Sequence, residues 1–204
     1  MAQTLDTRLN GLTIAILVTD GFEQVELTGP KEALEQAGAS TRIISIKEGR
    51  VRGFNHDEKA DAFDVAMSFA NAAPADFDAL LLPGGVMNGD QMRMVPEARA
   101  FAQAMQEDGK PIAVICHGGW LLVSAGMVKG RTMTSWPSLQ DDIRNAGGNW
   151  VDQEVALDGN LISSRTPADI PAFNQALIMA LALRVKQSAR GSADQNKGAV
   201  GVGG

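Results

Sequence analysis

Pro111-Ile112-Ala113-Val114-Ile115-Cys116-His117-Gly118-Gly119-Trp120-Leu121-Leu122-Val123 is the stretch that decides the fold. Its first five residues are an apolar run, the pattern of a strand buried on both faces of a parallel sheet. Gly118 and Gly119 interrupt it and a second apolar segment follows, so the chain reads as a strand turning sharply into a helix. The chain's only cysteine, and one of its two histidines, sit at that bend. A lone cysteine is ordinarily a small buried hydrophobe, but the placement argues otherwise. Ligands of open α/β sheets bind at the carboxyl ends of the strands. A thiol there also lies near unpaired helix N-terminal N–H groups, which commonly lower its pKa from about 8.5 to about 3.5–7.5.

Working outward, Leu12–Val18 reads as a first buried strand, followed by a turn at Thr19–Phe22 and a helix over about Glu23–Ala37. Val25, Leu34 and Ala37 can share a face of that helix, and Pro30 predicts a kink or break within it. Thr41–Ile46 and Asp78–Leu82 read as strands, the latter closing on Pro83-Gly84-Gly85. Glu97–Glu107 and Gly119–Ala125 read as helices, and a last helix runs over about Ile170–Val185. Residues 51–65 read as irregular or short-strand structure. Residues 155–162 read as a β-hairpin with a type I′ turn at Asp158-Gly159. The alternation gives an α/β fold: a mostly parallel sheet with helices on both faces. Residues 11–187 form one domain, 1–10 a flexible N-terminus, and 188–204 a Gly- and Ser-rich disordered tail.

Composition narrows the function. The 204 residues are 45% hydrophobic and 21% charged, enough for one substantial core. A net charge of −6 and scattered basic residues argue against strong nucleic-acid binding. One cysteine excludes an intramolecular disulfide framework and a Cys-based zinc site, and two distant histidines supply no metal cluster. No Gly-x-Gly-x-x-Gly follows the first strand, so no dinucleotide is expected, and no cofactor or metal is assigned. With no signal-peptide pattern and no apolar run near 18 residues, the expected location is cytoplasmic, away from membranes.

Several residues converge on the carboxyl edge. His117 either packs and contributes its main-chain N–H, or serves Cys116 as general base and acid. The N–H groups of Gly85 and His117 would form a two-donor oxyanion hole. Glu23 either complements the helix dipole or, protonated, donates a hydrogen bond to the thiolate. Asp90 is a surface acid or orients His117. Gly84, Gly118, Trp120 and His56 are the expected substrate-binding residues.

Asp20-Gly21-Phe22-Glu23-Gln24-Val25-Glu26-Leu27, Leu82-Pro83-Gly84-Gly85, Ile115-Cys116-His117-Gly118 and Ser164-Arg165-Thr166-Pro167-Ala168-Asp169 follow one another as in a known family. Over about Leu12–Val185 the chain resembles the PfpI-like branch of the ThiJ/PfpI superfamily, within the class I glutamine amidotransferase-like fold. Thr134–Ser138 and Asn149–Asp152 resemble its general-stress-protein subgroup. The resemblance implies a flavodoxin-like three-layer sandwich and a homodimer or higher homo-oligomer. It also implies a Cys116 nucleophile, Glu23 as the carboxyl hydrogen-bonded to it, His117 as the adjacent imidazole, and the Gly85 and His117 oxyanion hole. In some members an acid from a neighbouring subunit completes the site, here at Asp90. The implied activity is a cysteine-dependent deglycase or glutathione-independent glyoxalase acting on glyoxal, methylglyoxal or glycated protein. A cysteine peptidase or amidase is the alternative, and a non-catalytic redox-sensing stress protein the alternative of another class. Gly119 and Gly89 stand where proline is usual, which raises local chain entropy.

Overall fold

The computed structural model describes residues 8–198. In chain order the elements are β1 (Thr13–Leu17), β2 (Phe22–Glu23), α1 (Gln24–Gln36), β3 (Ser40–Ser45), β4 (Gly49–Asn55), β5 (Glu58–Val65), β6 (Met67–Ser68) and β7 (Ala79–Leu82). Then come α2 (Val86–Met94), α3 (Pro96–Glu107), β8 (Ile112–Ile115), α4 (Gly119–Ser124), β9 (Thr132–Met133), α5 (Gln140–Asn145), β10 (Asn149–Trp150), β11 (Val155–Asp158), β12 (Leu161–Ser164) and α6 (Ile170–Gly198). Seven strands make one sheet in the order β11-β12-β8-β7-β1-β3-β6. All neighbours are parallel except β11, which runs antiparallel to β12.

Side-chain alternation along the strands divides the core into two layers. Leu17, Leu80, Leu82, Ile112 and Val114 face Phe101 and Met105 of α3, Leu121 and Leu122 of α4, and Ile143 of α5. Ile14, Ile16, Leu81, Ala113 and Ile115 face Leu27 and Leu34 of α1 and Phe173, Leu177 and Leu181 of α6. Each fully buried Leu, Ile or Phe contributes about 1.5–3 kcal/mol over exposure. The apolar runs Leu12–Val18, Asp78–Leu82 and Pro111–Ile115 are therefore central strands β1, β7 and β8, whose carboxyl ends lie side by side.

The structure corrects several expectations. Of the two readings of residues 51–65 the strand one holds, with strands of seven and eight residues: β4 and β5 pair antiparallel from Gly49↔Val65 to Asn55↔Glu58, with a register shift between Arg52 and Phe54. Val51 and Gly53 are buried while Arg50 and Arg52 are exposed, so one face only is covered and the apolar signal is diluted. Helix α1 runs through Pro30 without a break, and its buried face is Glu26, Leu27, Pro30 and Leu34; Val25 is 40% exposed. The β11–β12 hairpin turns at Gly159-Asn160 and not Asp158-Gly159, since Asp158 pairs with Leu161; Gly159 has φ +57°, but Asn160 lacks the second left-handed conformation that a type I′ turn requires.

The ends differ too. Leu9 is fully buried and its N–H donates to Ala37 O at 2.9 Å, so the ordered domain starts before residue 11. The α6 backbone continues past Ser188 to Gly198. No proline interrupts it there, and extending a formed helix costs far less than nucleating one. The remainder of the expected tail, and residues 1–7, lie outside the described residues. Residues 167–186, with mean hydropathy 1.2, are long and apolar enough to cross a membrane by length and composition, a run the sequence reading passed over. Phe173, Leu177 and Leu181 of this stretch pack instead against the sheet.

Candidate active site

β8 delivers Cys116 into a short turn, Cys116–Gly118, that leads straight into α4. Cys116 has φ +59°, a conformation that costs a residue with a Cβ about 1–3 kcal/mol and persists only where its surroundings enforce it. Here they do: Cys116 is 6% exposed, and its carbonyl accepts the Trp136 N–H at 3.4 Å. The backbone N–H groups of Gly85 and His117 both reach the sulfur. The two donors read from the sequence therefore converge where Cys116 would react.

The carboxyl beside the thiol is Glu26, not Glu23. Because α1 begins at Gln24, Glu26 falls on the helix face that meets the sheet. Glu26 is fully buried, its Oε2 accepts the Gly84 N–H at 2.7 Å, and its Oε1 lacks a partner of good hydrogen-bond geometry. It lies within reach of the Cys116 thiol. Burial pushes the Glu26 carboxyl up to about 8, opposed by the Gly84 N–H and the thiol and reinforced by the Glu23 charge. Glu23 precedes the helix and lies at the cavity wall, where its Oε2 accepts the His56 N–H at 3.0 Å.

The thiol is not lowered as its place in the fold suggested. Burial, then the Glu26 carboxylate, push Cys116 up, and the Gly85 and His117 N–H groups recover only part of this. A Glu26 carboxyl that holds its proton near neutrality removes the like-charge contribution and faces the sulfur as a donor. His117 Nδ1 lies 3.2 Å from Sγ, and burial lowers the imidazole to about 4. At neutral pH the ring is uncharged, and its Nε2-protonated tautomer faces the thiol with an acceptor nitrogen.

Trp136 stacks on the His117 ring (5.6 Å between centroids, 27° between planes), and Trp120 lies against it at 5.1 Å. Among the described residues no acid of this chain bonds the His117 ring. Asp90 is exposed on α2. Its neighbour Gly89 packs on the turn: a Cβ there would sit 2.6 Å from His117 O, so α2 approaches closer than proline allows. A Cβ at Gly119 would meet Leu139 at 3.3 Å, with Met133 and Ser135 at ordinary contact distances of 3.6 and 3.8 Å.

Cys116 opens into a cavity of about 310 Å³. His56 lines it from the β4–β5 turn, as do Glu23, Glu26, Gly85 and His117. Three expected substrate contacts do not. Gly84 packs between Glu26 and Cys116, Gly118 against the end of β7, and Trp120 gives its indole N–H to Asp142 at 2.7 Å. The sequence reading missed Trp136, Phe54, Met87 and Asp57 as cavity walls. It also missed buried Asn88, which accepts the Thr19 N–H at 2.8 Å and donates to Pro83 O and Gly84 O at 3.0 Å. That side chain ties the end of β1 to the Gly84 loop. A larger groove of about 860 Å³ lies between α6 and the β11–β12 hairpin, away from the thiol. Among the described residues no group of three His, Cys, Asp or Glu side chains could hold a metal ion.

A buried cysteine at a strand-to-helix elbow of a parallel sheet, flanked by a carboxyl and an imidazole, defines the class to which comparison with known proteins leads. The DJ-1/PfpI family model matches residues 12–180, and the chain belongs to that family. It is 39% identical over 170 residues to a deglycase of Thermococcus kodakarensis, covering 83% of this chain and 99% of that protein. It is 42% identical over 162 residues to YraA of Bacillus subtilis, named as a candidate cysteine protease, covering 79% and 94%. DJ-1beta of Drosophila melanogaster superposes with a TM-score of 0.76 at 26% identity, covering 89% of this chain and 97% of the other.

Proposed function

We propose that this chain is a cysteine-dependent deglycase or glutathione-independent glyoxalase, acting on glyoxal or methylglyoxal or on their protein adducts. The observation that carries the reading is the 3.2 Å approach of His117 Nδ1 to Cys116 Sγ, with the Gly85 and His117 N–H groups converging on the sulfur. As Sγ adds to the carbonyl carbon, His117 takes the thiol proton and the two N–H groups hold the new oxyanion. A proton shift between the two carbons of the dicarbonyl unit leaves an acyl group on sulfur, with release of the amine from an adduct. Water then hydrolyses the thioester, giving a hydroxy acid and regenerating the thiol, with no external oxidant. Glu26, neutral and facing the sulfur, donates a hydrogen bond to the thiolate as it forms.

The cavity favours a small carbonyl compound over the alternative peptide substrate, since about 310 Å³ under a hairpin tip offers little room for an extended chain. In this reading the chain works as a homo-oligomer, and exposed Asp90 serves a neighbouring subunit's imidazole. The test is lactate formation from methylglyoxal and release of amine from a glyoxal-modified peptide, each beside Cys116→Ala. Lactate or amine formed by the native protein alone supports the reading; equal background from both proteins removes it.

A further inference from the structure

The cavity walls have a one-sided charge. Of thirteen lining residues, Glu23, Glu26 and Asp57 are acidic and none is lysine or arginine. The cations nearby are turned elsewhere. Arg165, two residues before lining Pro167, gives its guanidinium to Asp152 at 2.7 Å and Asp169 at 2.8 Å. Arg52 donates to Ala60 O at 2.8 Å, and Lys59, across the hairpin from Phe54, is exposed and lines no part of the cavity. Glu26 at the floor, its Oε1 buried without a hydrogen-bond partner of good geometry, keeps its proton near neutrality, so the charge of the walls is that of Glu23 and Asp57.

Glu23 has two distinct effects on this rim. Its side chain is only 13% exposed, and by accepting the His56 N–H at 3.0 Å it holds the β4–β5 turn, with Asp57, beside the mouth. Its charge, together with that of Asp57, also sets the potential along the path to Sγ. His56 Nδ1 is 3.8 Å from Glu23 Oε2, on a side chain that is 86% exposed.

We propose that Glu23 and Asp57 are specificity-determining residues that make the path to Cys116 cation-selective. Carbonyl compounds bearing a guanidinium or ammonium group enter, and compounds bearing a carboxylate, sulfonate or phosphate are excluded. This deepens the proposed function but does not depend on turnover, so the two can fail separately.

Because Cys116 is the only cysteine, any thiol-specific reagent reports on this site alone. The experiment compares its rates with two methanethiosulfonates of similar size, one carrying trimethylammonium and the other sulfonate, each divided by the rate with a free small thiol. The expected cation-to-anion ratio at low salt is about tenfold or more. Each of Glu23→Gln and Asp57→Asn lowers it by about threefold, as expected for one charge several ångströms from the reacting atom in a partly solvated mouth. In about 1 M salt, where screening acts within roughly 3 Å, the ratio falls toward one. Glutamine keeps an acceptor for the His56 N–H, so it separates charge from positioning. A native ratio near one overturns the proposal. So does a Glu23→Gln ratio equal to the native one when only Glu23→Ala changes it. Charge selection without lactate or amine release would leave this inference standing and remove the deglycase reading.

Discussion

Cys116 and His56 share a backbone conformation, φ +59° in both, and line one cavity from opposite sides. Their surroundings differ in almost every other respect. Cys116 is clamped between β8 and α4, with Gly84, Glu26 and His117 packed around it. His56 projects from a two-residue turn between β4 and β5, and the fixed contact of its backbone N–H is one Glu23 oxygen. On the floor, strain is enforced by dense packing and aims a reacting atom. On the rim it satisfies a tight turn and can be relieved locally. In the proposed reading the floor therefore governs chemistry and the rim governs access.

The largest break in that contrast is Cys116→Ala, expected to lower carbonyl turnover by at least about a thousandfold, as loss of a nucleophile does. The measurement is lactate from methylglyoxal, with the fold checked by circular dichroism. Gly84→Ala comes next. Its Cβ would lie 2.6 Å from Glu26 Oε2, 2.7 Å from Cys116 Cβ and 2.8 Å from His117 N. Overpacking of this kind costs about 1–3 kcal/mol, or roughly 2–10 °C in Tm for a domain of this size. Thermal melts and turnover should fall together; an unchanged melting curve would show that the floor yields more easily than its packing implies.

Glu26→Gln sharpens the electrostatic half of the comparison. Folded Glu26 keeps its proton up to about pH 8, while an unfolded glutamic acid loses it above about 4.5. The folded state thus binds more protons between these values, and stability falls as pH rises, by about 1.4 kcal/mol per pH unit for one proton. His117 has the opposite sign: lowered to about 4, it makes stability rise with pH up to about 6.5. The two cancel between about 4.5 and 6.5, leaving a native loss of about 2 kcal/mol from pH 6.5 to 8. Above pH 9 the raised Cys116 thiol adds a further loss of the same sign. With glutamine, urea midpoints should rise with pH up to about 6.5 and then stay level to pH 8. A native slope over pH 6.5–8 that survives the substitution would place the titrating group elsewhere.

The same division explains what the amino-acid order reveals. Leu12–Val18, Asp78–Leu82 and Pro111–Ile115 are strands covered on both faces, so they stand out as apolar runs, and the Cys116 elbow follows from the last of them. The identity of the buried carboxyl did not follow. Glu23 and Glu26 are one helical turn apart, and only the starting residue of α1 decides which meets the sheet. Taking Val25 for a core position put that face out of phase. Helix α2 was hidden by Asn88-Gly89-Asp90, which resembles a turn, although Asn88 is buried and Gly89 packs on His117. The rim was least legible, since β4 and β5 carry Arg50, Arg52, Lys59, Asp61 and Asp64 on an open face. Trp136 reached the site through a contact across the fold, which no local pattern records.

His56→Gly is the smallest test and separates the two strained residues most directly. Glycine removes the Cβ penalty at positive φ, a gain on the order of 1 kcal/mol, but raises the entropy of the unfolded chain by a comparable amount. The expected net change is therefore within about 1 kcal/mol, small enough to require urea midpoints rather than a single melt. The Glu23 contact survives, because it uses the backbone N–H of residue 56 and not the imidazole. Cys116 should keep its neutral-reagent reactivity within about twofold, since no described contact joins the His56 ring to the thiol and water screens an exposed side chain. A larger loss of stability or reactivity would mean that the rim takes part in holding the floor, and the separation of access from chemistry would fail.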